Sequence, residues 1–156
     1  MAVLTHSEAN RLGDVTTPRY GECSARGEDI VADGGMLMST QDLAKAFTEM
    51  CSKGEFDAAG KKFWSDDIVS REPMTGDMAE LKGRKAVERK GEWWYANHTV
   101  HNVQVEGPYV HGDQFVVRFK MDVTPKGGQR AQMDEVGLYT VKNGKIVEES
   151  FFFGGH

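Results

Sequence analysis

The sequence lacks most of the features that would assign it to a large functional class. No apolar run approaches the roughly 18–20 residues that a bilayer-spanning helix needs. The amino terminus, "MAVLTHSEANRLGDVT", has neither the basic start nor the continuous apolar stretch of a signal peptide, so the default expectation is a cytoplasmic protein. Positive charge is also short: the formal net charge is −5. That argues against a nucleic-acid backbone as partner, because phosphate binding needs concentrated Lys and Arg. The run "KGRKAVERK" (82–90) mixes in Glu88 and reads as a solvated helix face. There are only two cysteines, Cys23 and Cys51. They form neither a CxxC pair nor a disulfide ladder. Cys51 falls on an apolar helical face and reads as a buried, inert thiol. No phosphate loop, nucleophile elbow or dinucleotide fingerprint is present, nor any repeat or low-complexity tract.

What the sequence does contain is one domain's worth of ordinary globular composition. Its 156 residues are 39% hydrophobic and 28% charged, enough for a single core and too few for two ordinary domains. Residues 1–37 show no period of 2 or 3.6 and end near a glycine pair, so they read as a poorly ordered extension; the domain proper is 38–156. From Ser39 the pattern is regular. Ser39-Thr40-Gln41-Asp42 can cap a helix, followed by Leu43, Phe47, Met50 and Cys51 at helical spacing, with Gly54 as a stop. A second helix is expected at about 55–64 and a third at about 84–97, the latter with Val87, Gly91, Trp94 and Tyr95 on one face. Between them, "SDDIVSREP" reads as an acidic turn and a short strand closing on Glu72-Pro73.

The remainder is strand-like. Asn143-Gly144 is the strongest short hairpin signal in the chain. In "FVVRFKMDV" the residues Phe115, Val117, Phe119, Met121 and Val123 alternate with Val116, Arg118, Lys120 and Asp122. Helices first and an antiparallel meander afterwards mean α+β, not a doubly wound sheet.

Three segments carry a resemblance: "GEFDAAGKKFWSDDIVSREP", "GRKAVERKGEWWYANH" and "MDEVGLYTVKNGKIVEESFFF". With this order of elements, residues 39–153 resemble the nuclear transport factor 2-like superfamily, and within it the SnoaL-like and ketosteroid-isomerase-related proteins. The resemblance implies a cone-shaped curved antiparallel sheet packed against three helices around an apolar pocket, and a homodimer through the convex face of the sheet. It also places Glu72-Pro73 where ketosteroid isomerase carries its general base. The isomerase's two oxyanion donors, by the same alignment of elements, fall at about Phe47 and Gly137, neither of which can donate from a side chain.

If Gly137 faces inward, period 2 turns Glu135 and Tyr139 inward, and the last strand contributes Glu149, Phe151 and Phe153. Arg118, Lys120 and Asp122 are then candidates for the same interior. Val117, Phe119 and Met121 would lie on the convex face as the dimer contact. The expected pocket is acidic with aromatic walls: Glu72, Glu135 and Glu149 beside Phe47, Trp94, Tyr139, Phe151 and Phe153. Carboxylates sharing a desolvated cavity cannot all ionise, which is one way to make an acid–base group. The bland alternative pairs Glu135 and Glu149 with Arg118 or Lys120 across strands. His98 and His101 sit three apart at a helix-to-strand change and point different ways, so neither a metal nor a cofactor is expected.

The functional expectation is a small-molecule-binding domain for an apolar ligand with a polar group. Its chemistry would be cofactor-free proton transfer of the isomerase, cyclase or dehydratase type. Glu72 would be the base, with His98 or Glu135 as secondary polar groups. The alternative is a non-catalytic ligand-binding or dimerisation module whose acids hold the barrel together.

Overall fold

A computed structural model describes residues 36–153; the expectations for the preceding extension lie, as far as residue 35, outside the described residues. Three helices come first and are interleaved with two strands: α1 (Thr40–Ser52), α2 (Phe56–Phe63), β1 (Trp64–Arg71), β2 (Glu80–Lys82) and α3 (Arg84–Asn97). A four-stranded meander follows: β3 (His98–His111), β4 (Gln114–Pro125), β5 (Ala131–Lys142) and β6 (Lys145–Phe153). All six strands form one sheet in the order β2-β1-β6-β5-β4-β3.

Local chemistry accounts for the element boundaries. The Ser39 hydroxyl accepts a hydrogen bond from the Asp42 amide at 3.1 Å, closing the first turn of α1. Leu43, Phe47 and Cys51 then repeat along its buried face. The β5–β6 hairpin turns on Asn143 and Gly144, with φ of 51° and 68°, the left-handed pair that a tight hairpin requires. The acidic pair Asp66-Asp67 does not make a turn: α2 hands over directly to β1 at Trp64, and both aspartates lie exposed on the strand. Nor is the sheet wholly antiparallel. β1 runs parallel to β6, with Ser70 opposite Glu149, and its pairing is irregular between Trp64 and Val69.

The helices cover only one face of the sheet, and that decides where the apolar residues go. Phe115, Val117, Phe119, Met121 and Val123 are buried beneath them. Phe47 of α1 meets Phe115 edge-on at 5.8 Å, and Phe56 of α2 meets Phe119 at 5.8 Å. This reverses the expected facing of β4. Val117, Phe119 and Met121 belong to the core and cannot form a dimer contact. Arg118, Lys120 and Asp122 lie on the outer face, not in the interior. There they pair with Asp134, Glu106 and Arg130 rather than with Glu135 or Glu149. No helix among the described residues is long and apolar enough to cross a membrane.

Candidate active site: three carboxylates around one lysine

Period 2 and the strand register lay out the inner face in rows. Ser70 stands opposite Glu149, Glu149 opposite Tyr139, and Tyr139 opposite Phe115. The next row runs Phe151, Gly137, Val117, and the one after it Phe153, Glu135, Phe119. Glu149, Tyr139, Phe151, Gly137, Phe153 and Glu135 therefore share one side of the sheet. Phe153 is at the rim and exposed, whereas Phe47 is buried, its ring 4.9 Å from that of Tyr139.

At the centre is a residue that sequence reasoning assigned to solvent. Lys90 projects from the middle of α3 and donates to Glu72 Oε1 at 2.7 Å and to Ser70 Oγ at 2.7 Å. Its Nζ is 3.8 Å from Glu149 Oε1 and 4.9 Å from the centre of the Phe151 ring. The signal was available. Lys90 is three residues after Val87 and four before Trp94, so it continues the inward stripe of α3. Only the neighbouring basic residues made it resemble a solvated charge.

Glu149 is 2% exposed. Its Oε2 accepts from Trp64 Nε1 at 3.0 Å. Trp64 reaches it because Gly60 has no side chain: a Cβ there would stand 2.5 Å from the indole. Burial raises the pKa of Glu149, opposed by Lys90, Ser70 and Trp64 and reinforced by the charge of Glu72. Glu135 is half-buried. Burial, then the charges of Glu72 and Glu149, push it up to about 7 against the partial relief of Lys90. The buried Tyr139 hydroxyl is held well above its ordinary value by burial and by Glu149, so it stays protonated. Carboxylates that share a desolvated space around one ammonium oppose one another's ionisation, and the two that are raised are Glu149 and Glu135.

His98 and Trp94 are not brought to this cluster. The His98 ring stacks on Trp94 at 4.6 Å and its Nδ1 is 2.9 Å from the Trp94 carbonyl. His98 lines a separate surface pocket of about 270 Å³ with Tyr95, Thr99, Thr124 and the 125–128 loop. His101 Nε2 lies 2.8 Å from Thr124 Oγ1, so the two histidines have different partners. Cys51 is fully buried, and burial followed by the charge of Glu149 pushes its thiol up to about 12. It is no nucleophile.

Comparison with known proteins places the fold. A candidate SnoaL-like polyketide cyclase from Mesorhizobium loti, also labelled a carbohydrate phosphatase, is 55% identical with a TM-score of 0.72, over 74% of this chain and 99% of that one. A candidate isomerase from Bacillus subtilis shares the fold at 13% identity and a TM-score of 0.62, covering 75% and 90% of the two chains. A nuclear transport factor 2-like protein from Burkholderia pseudomallei does so at 16% identity and 0.62, covering 75% and 92%. A search of curated proteins finds no significant match. The family profile described as "SnoaL-like domain" matches residues 38–153, and the chain belongs to that family.

Proposed function

We propose that this protein binds a mostly apolar small molecule bearing a polar group and moves a proton on it, as in an isomerisation, dehydration or aldol-type cyclisation. The observation that carries this reading is Glu135: a half-buried carboxyl, pushed up to about 7, standing beside the Glu72–Lys90 pair. A base of that strength is matched to neutral pH. The leading role therefore passes from Glu72 to Glu135. Glu72, held by Lys90 at 2.7 Å, is the second carboxylate whose charge keeps Glu135 basic. The cyclase label of the Mesorhizobium relative fits such chemistry. Its phosphatase label fits less well, because the one lysine of the cluster is already engaged by Glu72 and Ser70.

The test needs no natural substrate. α-Proton exchange of cyclic ketones such as 2-tetralone and 1-indanone is followed by NMR in D₂O. Exchange above buffer rates should rise with pH through about 7, and Glu135→Gln should lower it by about 10²-fold or more. Exchange at buffer rates alone, or unchanged in Glu135→Gln, overturns the reading.

A second observation favours assembly. On the outer face Tyr109 and Phe152 are 66% and 53% exposed. They neighbour Val116, Leu138 and Val136 through the pairings Tyr109–Val116, Val116–Leu138 and Val136–Phe152. We propose that this apolar patch, in place of the β4 residues expected from sequence, forms a homodimer contact. Light scattering at micromolar concentration should give twice the chain mass; a monomer mass sinks the idea.

A further inference from the structure

Lys90 is not seated on the acid that most needs it. The Glu149 side chain is 3% exposed and that of Glu72 16%. A carboxylate shut off from water gains more from a cation than one that water still reaches. Yet the ammonium stands 2.7 Å from Glu72 Oε1 and 3.8 Å from Glu149 Oε1. Glu149 is held from the other side, where the Trp64 indole donates to its Oε2 at 3.0 Å. No cation reaches it from α1 or β5. The groups there whose charges it acts on are the Cys51 thiol and the Tyr139 hydroxyl, both raised, by burial first.

Three features of the fold bring Trp64 to that place. The first is the irregular pairing of β1 with β6. From Trp64 to Val69 β1 advances five residues, while β6 advances only two, from Ile146 to Glu148. The surplus stretch contains the exposed Asp66 and Asp67, and it brings Trp64 nearer to Glu149 than a regular ladder would. The second is Arg84, at the start of α3. It donates to the Trp64 and Lys61 carbonyls and pairs with Asp66 at 3.2 Å, fixing the backbone of the irregular stretch. The third is Gly60, where a Cβ would stand 2.5–2.8 Å from three atoms of the indole. Any side chain there would push the ring away.

We propose that Trp64 is a positioning residue of the cluster: by holding Glu149 with its indole N–H, it assigns Lys90 to Glu72. The inference deepens the proton-transfer reading and rests on it for what the pairing achieves. Glu135 has no hydrogen bond or ion pair of its own among the described residues. Of the charges that act on it, Glu72 opposes its ionisation most, Lys90 relieves it, and Glu149 adds a smaller opposition. With Lys90 on Glu72, the largest of those oppositions is partly offset. A lysine drawn over to Glu149 would leave the Glu72 charge uncompensated beside Glu135 and raise it further. Trp64 thus sets the strength of the base through two intermediaries, without exchanging a proton itself.

The experiment replaces Trp64 in the full chain by β-(3-benzothienyl)alanine, which keeps the bicyclic ring and puts sulfur where the N–H was. Trp64→Phe and Gly60→Ala are made beside it. In each background, urea midpoints of Lys90→Met, Glu72→Gln, Glu149→Gln and the two double variants with Lys90→Met give the coupling of the lysine to each acid. In the natural protein the coupling to Glu72 should be the larger. The sulfur ring and Trp64→Phe should move it to Glu149. Gly60→Ala should do the same, because it keeps the N–H but displaces the ring. NMR titration of the ¹³C-labelled Glu135 carboxyl should show its midpoint rising by about half a unit or more in the same proteins, a change that lost packing alone would not give. Unchanged couplings with the sulfur ring in place overturn the proposal, as does a Glu135 midpoint that stays or falls. The couplings are read without a ligand, so absence of ketone exchange in the natural protein would sink the proton-transfer reading and leave the lysine assignment standing.

Discussion

The two faces of the sheet treat the same chemistry in opposite ways. On the outer face, Lys120 meets Glu106 at 2.6 Å, Arg118 meets Asp134 at 2.6 Å and Arg130 meets Asp122 at 2.5 Å. Most of these groups are wet, and their carboxylates are held below the usual range by hydrogen bonds to their cationic partners. On the inner face, a single lysine serves three carboxylates, and two of those are raised by burial. Acids on the outer face are supplied with cations; those on the inner face are deliberately under-supplied. The first arrangement makes a quiet surface; the second raises Glu149 and lifts Glu135 to about 7.

The sharpest way to break this comparison is to remove a lysine from each face. Lys90→Met leaves Glu72 and Glu149 desolvated without their cation, an uncompensated situation that costs about 3–5 kcal/mol. Urea unfolding at pH 7.5 should show it, and adding Glu72→Gln to the same protein should restore part of the loss.

Glu135→Gln comes next, with the opposite sign. The folded protein holds the Glu135 proton up to about pH 7, against an ordinary 4.5. Between those values the folded state binds more protons than the unfolded one, so stability falls as pH rises through that window. The deficit is complete above it. Removing the charge should stabilise the protein by about 2–3 kcal/mol at pH 8 and do almost nothing at pH 4. Melting curves at the two pH values check this; equal effects at both would mean that Glu135 is not desolvated.

The smallest effect belongs to the outer face. Lys120→Met removes an ion pair of similar length, yet its melting midpoint should stay within experimental scatter. A loss comparable to that of Lys90→Met would erase the distinction between the faces.

Much of this was legible in the sequence, for identifiable reasons. The Ser39 cap, the three helices and the Asn143-Gly144 turn are local signals, and each is where it was read. The inward set Glu135, Tyr139 and Glu149 followed from counting by twos once Gly137 was placed inside. The facing of β4 is where sequence and structure part: Arg118, Lys120 and Asp122, candidates for the interior, lie on the outer face across the 126–130 loop from the residues that place them. A loop does not preserve parity, whereas the burial of Phe115, Val117 and Phe119 follows from which face the helices cover. Lys90 was misjudged by its company in sequence. Gly137 and Phe47 were read by what they lack; their contribution is the space and the packing they give Tyr139, which only the folded chain reveals.

The parallel pairing of β1 with β6 has a consequence for how and when the carboxylate cluster can exist. Trp64 and Glu149, which meet at 3.0 Å, are 85 positions apart. β1 has only the three-residue β2 as its other neighbour. During synthesis, Glu72 and Lys90 emerge long before the strand that holds Glu149 and Phe151, and long-range pairings of this kind are made late and slowly. A chain cut at the Asn143-Gly144 hairpin would keep its helices and most of its meander, yet lose Glu149 and Phe151 from the cluster and β6 as the main neighbour of β1. Assembly of the carboxylate cluster is therefore a report on the chain through β6, and a cut at this one turn that releases β6 would take the cluster apart while leaving the helices in place.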